Sequence, residues 1–464
     1  MTYGPLLTDL RAVVGEQGIV TGEKLRERTY DPFAGIMRAQ ILVRPSESSQ
    51  VADVMRLCHG RGQVVVPHGG LTGLVYGTTA GESDVILSME ALNRIENVDA
   101  AGRTMRVQAG VTLQRTQEAA EEAGLMFPLD LGGRATATIG GNISTNAGGM
   151  RVVRYGMMRS LVLGVEAVLA DGTVLSSLNR MLKNNSGYDL KQLFIGTEGT
   201  LGIVTRADLR LVAAPRSHGT AFVACPDFES LIRLLGIVDA GLGGQLSAFE
   251  AMWPEFYELT TLPPAANASL LAHGHGVYAL IESLGGDQKS DDERLESVLT
   301  EAMEQGVIVD AVIAKSDAER RAMWAPREDV FQTRRYGPTH NFDVSVPIGE
   351  MPGYVRDVRA ALERAVPGIR IWVFGHIADG NLHLTMSAGD AHAVTFDLVE
   401  SCVYERLRPF SGAISAEHGI GLERKSYLGI SRSAAEIATM RALKKALDPK
   451  GILNPGKVFD VQAA

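Results

Sequence analysis

Hydrophobic and polar positions change period several times along the chain, and those changes predict its elements. Leu6, Leu7, Leu10, Val13 and Val14 recur at helical spacing, which predicts a short amphipathic helix near the start. Ser49 reads as the N-cap of a second helix that carries Val51, Val54, Met55 and Cys58 on one face. Residues 63–66 read as a buried strand closed by Pro67, residues 105–109 as a strand and 112–123 as a helix. Residues 161–170 and 173–176 read as a hairpin about Asp171-Gly172. From Pro215 the order becomes regular: strand 220–224, helix 227–238, strand 246–250, then strand 277–282, helix 291–305, strand 307–313. Repeated β-α-β runs of this kind predict an antiparallel sheet with helices on one side, a ferredoxin-like domain. A last helix over 434–447, with Met440, Leu443 and Leu447 inward, stops at Asp448-Pro449.

One stretch with strand periodicity also carries chemistry. An apolar run from Val373 reaches His376, Asp379-Gly380 offers a two-residue type I′ turn, and an alternating run leads away through His383. Such a turn puts His376 opposite His383 on one sheet face with Cβ atoms roughly 5 Å apart, so the two imidazoles could share a metal ion. A third ligand is offered by Glu417 or His418, in the run Ser415-Ala416-Glu417-His418-Gly419. Two imidazoles and a carboxylate suit a divalent ion with an open position, and the neighbour left over could act as general base. The plain alternative is a hairpin with two ordinary histidines, Glu417 capping the turn at Gly419–Gly421. Upstream, Arg327 follows Pro326 and could fork onto a carboxylate with two parallel hydrogen bonds.

Glycine use changes the picture further. There are 51 glycines, concentrated in three clusters that predict positive φ or close approach to a ligand. After the strand at 63–66, the loop His68-Gly69-Gly70-Leu71-Thr72-Gly73 can aim successive N–H groups at a phosphate, though it is neither a Walker loop nor G-x-G-x-x-G. Residues 128–149, PLDLGGRATATIGGNISTNAGG, have no large apolar side chain after Ile143 and read as a long functional loop unable to build a core. Residues 194–205, FIGTEGTLGIVT, join a polar turn to a strand. Three such clusters on α+β scaffolding suggest one extended nucleotide cofactor.

Composition sets outer bounds. A chain of 464 residues exceeds one hydrophobic core, and 45% hydrophobic with 21% charged residues is ordinary for a soluble globular protein. A net charge of −9 argues against a nucleic-acid partner, and three distant cysteines, odd in number, indicate no disulfide framework or cysteine metal cage. No signal-peptide profile or membrane-length apolar run is present, so the expected location is cytoplasmic, with peripheral attachment to the inner membrane left open.

Seven motifs in one order carry a resemblance over nearly the whole chain: PHGGLTG, the 128–149 stretch, RYG at 154–156, GTEGTLGIVT, GHIADGNLH, SAEHGIG and DPKGILNPGK. Together they resemble the FAD-linked D-2-hydroxyacid dehydrogenases, a group with D-lactate and D-2-hydroxyglutarate dehydrogenases and the glycolate oxidase flavin subunit, in the vanillyl-alcohol oxidase flavoprotein superfamily. The resemblance implies an α+β fold: a PCMH-type FAD-binding domain over 1–214, a ferredoxin-like antiparallel cap over 215–420 with the metal site, and a helical C-terminal return over 421–464. FAD, held noncovalently, would lie on Pro67, His68, Gly69, Gly70, Leu71, Thr72 and Gly73 at the pyrophosphate. Further along would come Pro128, Thr138, Ile139, Gly140, Gly141, Asn142, Thr145, Asn146, Gly148, Gly149, Gly199, Gly202, Ile203 and Asn454. His376, His383 and Glu417 match the family's metal ligands, zinc first with manganese or iron as alternatives, and His418 its base. Arg327, Phe331, Asn341, Thr385 and His418 would surround the substrate.

The implied reaction is oxidation of a D-2-hydroxy acid to the 2-oxo acid by hydride transfer to flavin N5. Electrons would pass to a quinone, an electron-transfer flavoprotein or a cytochrome rather than oxygen, in a protein expected to be a homodimer. Three departures bear on substrate: relatives acting on 2-hydroxyglutarate have threonine at Phe331, lysine at Asn341 and asparagine where Thr385 stands. Losing that lysine weakens the expectation of a dicarboxylate, and Phe331 suggests a more apolar pocket. The rival readings are a metal-dependent hydrolase of a nucleotide-like substrate and the flavin subunit of a multi-chain glycolate oxidase-type complex.

Overall fold

A computed structural model describes residues 4–28 and 33–461. The chain forms two units, the first from Met1–Gly149, Gly156–Ala214 and Glu417–Ala464, the second from Met150–Tyr155 and Pro215–Ala416. Two segments therefore change sides against the expected boundaries: 150–155 belongs with the second unit and 417–420 with the first. Specific bonds account for both. Arg151 donates to Glu282 at 2.6 Å and Arg154 to the carbonyl of Gln245 at 3.2 Å within the second unit, whereas the N–H of Ile420 donates to Glu198 at 2.7 Å within the first.

The first unit contains a four-stranded sheet in the order Ile19–Thr21, Ile41–Val43, Val85–Ser88, Val65–His68, the last three parallel. Helix Ser48–Arg61 makes one crossover connection that parallel strands require, and Val51, Val54, Met55 and Cys58 are buried beneath it. Its N-cap is Glu47, without a side-chain cap bond, rather than Ser49. A five-stranded antiparallel sheet follows, in the order Ile95–Asp99, Thr104–Gln108, Ile203–Arg210, Val162–Val168, Val174–Ser176.

The 128–149 stretch does build core, contrary to expectation. It contains helix Ile139–Thr145, capped by Thr138, with Ile139 and Ile143 fully buried. Small residues let this helix lie close to its neighbours: a Cβ on Gly140 would stand 2.7 Å from that of Ala109. The final helix Ala434–Leu447 also differs from its hydrophobic pattern. Leu443 is exposed and Lys444 is turned inward, donating to the carbonyls of Thr200 and Leu453 and to the Asp448 carboxylate. That lysine fastens the return of the chain, where Leu453 bridges Val65 in parallel.

The second unit is one antiparallel sheet of seven strands in the order Asp310–Ile313, Ser217–Cys225, Val277–Gly285, Leu246–Met252, Arg370–His376, Asn381–Ser387, His340–Ser345. Helices cover both faces rather than one. Gly219 meets Leu295 of helix Gln288–Glu304 on one side, while Phe256 of helix Pro254–Thr261 stacks on Phe374 at 4.2 Å on the other. Leu246–Met252 is buried at every position for that reason, which hides the alternation a half-exposed strand would show.

Candidate active site

On the first unit, strand Val65–His68 ends in the first glycine loop, and no described residue accepts a hydrogen bond from the N–H of Gly69, Gly70, Leu71, Thr72 or Gly73. Leu71 holds φ 57 there. This loop packs on the second glycine stretch: a Cβ on Gly70 would lie 1.9 Å from the Thr136 carbonyl oxygen, and one on Gly69 would lie 2.7 Å from Thr138 Oγ1. Gly149, at φ 143, closes the far end against the Asp130 carbonyl, two residues from buried Pro128. Gly199, at φ 72, sits where a Cβ would meet Pro67 at 2.6 Å. Gly202 packs on the Phe194 ring and leads into strand Ile203–Arg210.

The side chains of these segments are mostly spent on their own backbone. Thr138 caps Gly141 N, Thr145 donates to the Gly141 carbonyl, and Asn146 accepts from Arg159 N. Two buried amide atoms are left over, Asn142 Nδ2 and Asn454 Oδ1, although Asn454 donates to the carbonyls of Gly77 and Glu198. Main-chain donors without a described partner and two orphaned amide atoms among close-packed glycines are the chemistry that a large, polar, phosphate-bearing ligand would use. His68, at the end of the strand, is held by the main chain. Its ring is buried, Nε2–H donates to the Thr78 carbonyl at 3.0 Å, and burial pushes its pKa down to about 4.

On the second unit, the histidine hairpin exists with a different register. Phe374, not His376, stands opposite His383, and the connection is a longer turn, helical over Ile377–Asp379 and closed by Gly380 at φ 87. Because side chains alternate with period two, an offset of two residues keeps both histidines on one face. Their rings lie 5.2 Å apart, nearly perpendicular. Residues 413–416 run beside strand His340–Ser345, with Ala416 N donating to the Asp343 carbonyl at 3.2 Å, and Glu417 is the next residue. His376, His383 and Glu417 each offer a ligand atom, all within 4.8 Å of one another.

Sequence reasoning missed the carboxylates behind the histidines. Glu250, fully buried on strand Leu246–Met252 beside His376, accepts from His376 Nδ1 at 2.6 Å and from Arg327 Nε at 2.8 Å. Burial pushes its carboxyl up, but the adjacent His376 and Arg327 outweigh this and hold it below the usual range. Asp343, also fully buried, pairs with His383 in register, its carboxylate 4.0 Å from His383 Nδ1 and 2.8 Å from Asn381 Nδ2. A carboxylate bonded to one ring nitrogen fixes the orientation and tautomer of a histidine. A single charged residue inside the LSAFEAM run was the available signal. Asp379, in the turn, has its carboxyl pushed up to about 6 by burial, which His376 partly offsets.

Arg327 lies on helix Asp317–Glu328 with its guanidinium 4.7 Å from the Phe374 ring, and only Nε is committed; its terminal nitrogens bond to no described residue. The remaining expected substrate residues are placed less centrally. Phe331 is 63% exposed under the Arg334 guanidinium, so it does not wall an apolar pocket. Asn341 and Thr385 face each other across the strand pair and bond at 3.0 Å. His418, on the first unit, has Arg424 Nη2 3.4 Å from Nδ1. In the turn after it, Glu198 accepts from Ile420 N and Gly421 N at 2.7 and 2.9 Å.

One unit thus carries a glycine-walled run of main-chain donors, and the other a sheet face that bears histidines, buried carboxylates and Arg327; comparison with known proteins places this arrangement among the FAD-linked oxidoreductases. The family described as FAD binding domain matches residues 39–177, and FAD linked oxidases, C-terminal domain, matches 214–458. The chain is 37% identical to mitochondrial D-2-hydroxyglutarate dehydrogenase of Bos taurus, over 98% of this chain and 84% of that protein. It is 40% identical to D-2-hydroxyglutarate dehydrogenase of Xanthomonas citri pv. viticola, over 90% of this chain and 89% of that one. In fold it resembles p-cresol methylhydroxylase (TM-score 0.77, 16% identity, 100% of this chain and 98% of that one). It also resembles 4-ethylphenol oxidase from Gulosibacter chungangensis (TM-score 0.76, 18% identity, 98% and 97%). The chain belongs to the FAD-linked D-2-hydroxyacid dehydrogenase family. No described helix is long and apolar enough to cross a membrane.

Proposed function

We propose that the protein oxidises D-2-hydroxy acids, D-2-hydroxyglutarate foremost, with a divalent ion at His376, His383 and Glu417. The observation that carries this reading is the face of the second unit's sheet on which Glu250 holds both a ligand histidine and Arg327. One buried carboxylate thereby orients a metal ligand and a carboxylate-binding cation together. Bos taurus and Xanthomonas relatives named for D-2-hydroxyglutarate support the substrate. Zinc is the first candidate for an imidazole and carboxylate donor set, with manganese and iron next.

FAD, when bound, supplies a two-electron acceptor, and a divalent ion supplies Lewis-acid polarisation of the substrate oxygens. The chain's own residues do the rest. The free nitrogens of Arg327 take the substrate carboxylate as a fork and fix the orientation of C2. His418 accepts the proton of the 2-hydroxyl on a ring nitrogen, the C2 hydrogen leaves with its electron pair, and the 2-oxo acid results. The main-chain donors of residues 69–73 hold the cofactor's pyrophosphate. Reoxidation then requires an external acceptor such as a quinone, an electron-transfer flavoprotein or a cytochrome.

The test is an anaerobic visible spectrum of purified protein titrated with D-2-hydroxyglutarate, D-lactate and their L-enantiomers, before and after chelation. Bleaching of the flavin band by a D-acid alone, lost on chelation and restored by zinc or manganese, is the expected result. Equal bleaching after exhaustive chelation would end the metal assignment, and bleaching by neither D-acid would end the substrate class.

A further inference from the structure

The third glycine cluster has a role that cofactor contact does not account for. Glu198 stands in it at φ 53, a conformation non-glycine residues seldom adopt and that persists only where the surroundings over-determine it. Here they do. Its N–H donates to the Ser144 carbonyl at 2.8 Å, its own carbonyl accepts from Asn454 Nδ2 at 2.8 Å, and Gly199 beside it abuts Pro67. The side chain is half-buried, yet both carboxylate oxygens are taken by the turn that follows His418, one by Ile420 N at 2.7 Å and one by Gly421 N at 2.9 Å.

That turn has little other freedom. Gly419 and Gly421 hold φ 86 and 51, and a Cβ on Gly419 would lie 2.8 Å from Glu198 Oε1. On its far side Leu422 N donates to the Val75 carbonyl at 2.9 Å, and Arg424, 1% exposed, returns from the turn to reach His418. Charge-assisted bonds from a carboxylate to two successive N–H groups are among the stronger ties available to a loop.

We infer that Glu198 is a positioning residue for His418: its carboxylate anchors the turn that sets the imidazole, and its main chain ties that anchor to Asn454 and the pyrophosphate loop. The inference rests on the reading of His418 as proton acceptor. Glu198→Gln is nearly isosteric but replaces one acceptor by an amide N–H, setting donor against donor at the turn.

The experiment combines hydrogen exchange with rapid anaerobic flavin reduction in the FAD-loaded enzyme. In Glu198→Gln, peptides spanning 417–424 should exchange faster with FAD content unchanged. The limiting reduction rate should fall roughly ten- to a hundredfold with little change in half-saturating substrate, the cost of a small misplacement of a reacting group. Glu198→Gln/His418→Gln should be no slower than His418→Gln alone, because both act through one group. Additive losses, or unchanged exchange at 417–424, would overturn the inference. Should the glutamine variant fail to fold, Glu198→Asp keeps the charge and shortens the reach. It should lie between wild type and His418→Gln in rate with exchange at 417–424 raised, and wild-type values of both would equally overturn it. Wild-type reduction by His418→Gln would sink the base assignment and the catalytic half of the inference, while exchange alone still decides whether Glu198 anchors the turn.

Discussion

In the first unit the cradle is backbone: the N–H groups of residues 69–73 have no acceptor among the described residues, and Thr138, Thr145 and Asn146 use their side chains to brace the main chain. In the second unit the proposed chemistry rests on side chains of adjacent strands, His376 bonded to buried Glu250 at 2.6 Å and His383 with buried Asp343 4.0 Å away. The difference teaches how each region tolerates change. A backbone cradle depends on what a residue lacks, so it fails when a Cβ is added. A side-chain site depends on the polar groups behind it, so it weakens by degrees.

The largest effect should therefore come from a glycine. Gly70→Val would drive a Cβ into the Thr136 carbonyl, 1.9 Å away, and rigid backbone cannot yield as a side-chain end would. Purified protein should contain little or no FAD by absorbance, with the second unit's sheet intact by limited proteolysis. Normal flavin content would show that the two glycine stretches do not form one wall.

Next comes His376→Ala, which should abolish metal binding and turnover while leaving FAD in place, since the glycine cradle belongs to the other unit. Elemental analysis and the flavin spectrum of one sample check both halves. Loss of FAD together with metal would break the separation of the two regions drawn above.

The bracing carboxylates should show a graded response. Glu250→Gln removes a charge bonded at 2.6 Å to a ligand histidine, and loss of such a partner costs roughly 10–100-fold in metal affinity. Asp343→Asn acts at 4.0 Å, beyond hydrogen-bond range, and should cost clearly less. Competition with a chelator of known affinity ranks the two. Glu250→Gln should also raise KM, because Arg327 loses its partner, whereas Asp343→Asn should not.

What the sequence disclosed follows the same division. Glycine clusters are legible because close approach of one backbone to another leaves no room for a Cβ, as at Gly69, Gly70 and Gly140, so the cradle segments stand out from local composition alone. The histidine pair was legible as a hairpin, and its placement survived an error of register because a two-residue offset preserves the face. Glu250 was not legible: pairing of Leu246–Met252 with Arg370–His376 brings together residues 126 positions apart, and nothing local marks that partner. Helix Ile139–Thr145 was hidden for the converse reason. Its packing rests on absent side chains, which a hydrophobic pattern cannot register. Lys444 replaced Leu443 as the inward residue because carbonyls at the chain's return needed a donor more than the core needed a methyl group.

The smallest expected effect concerns substrate choice. Asn341 and Thr385 lie on the same face as His383, one pair further along the strands, and they satisfy each other at 3.0 Å. A neutral, self-paired position offers no counter-charge to the distal carboxylate of a five-carbon dicarboxylate. Asn341→Lys would add a cation on an exposed strand position and free the Thr385 hydroxyl, at little cost in stability. The ratio of kcat/KM for D-2-hydroxyglutarate over D-lactate should rise several-fold, mostly through KM, as expected for an added contact that ground and transition states share. A ratio that stays put would move the distal carboxylate to another cation, with Arg334 and Arg370 of the same unit the next to substitute. The side-chain region would then set specificity on a different part of the sheet from the one that binds the reacting end.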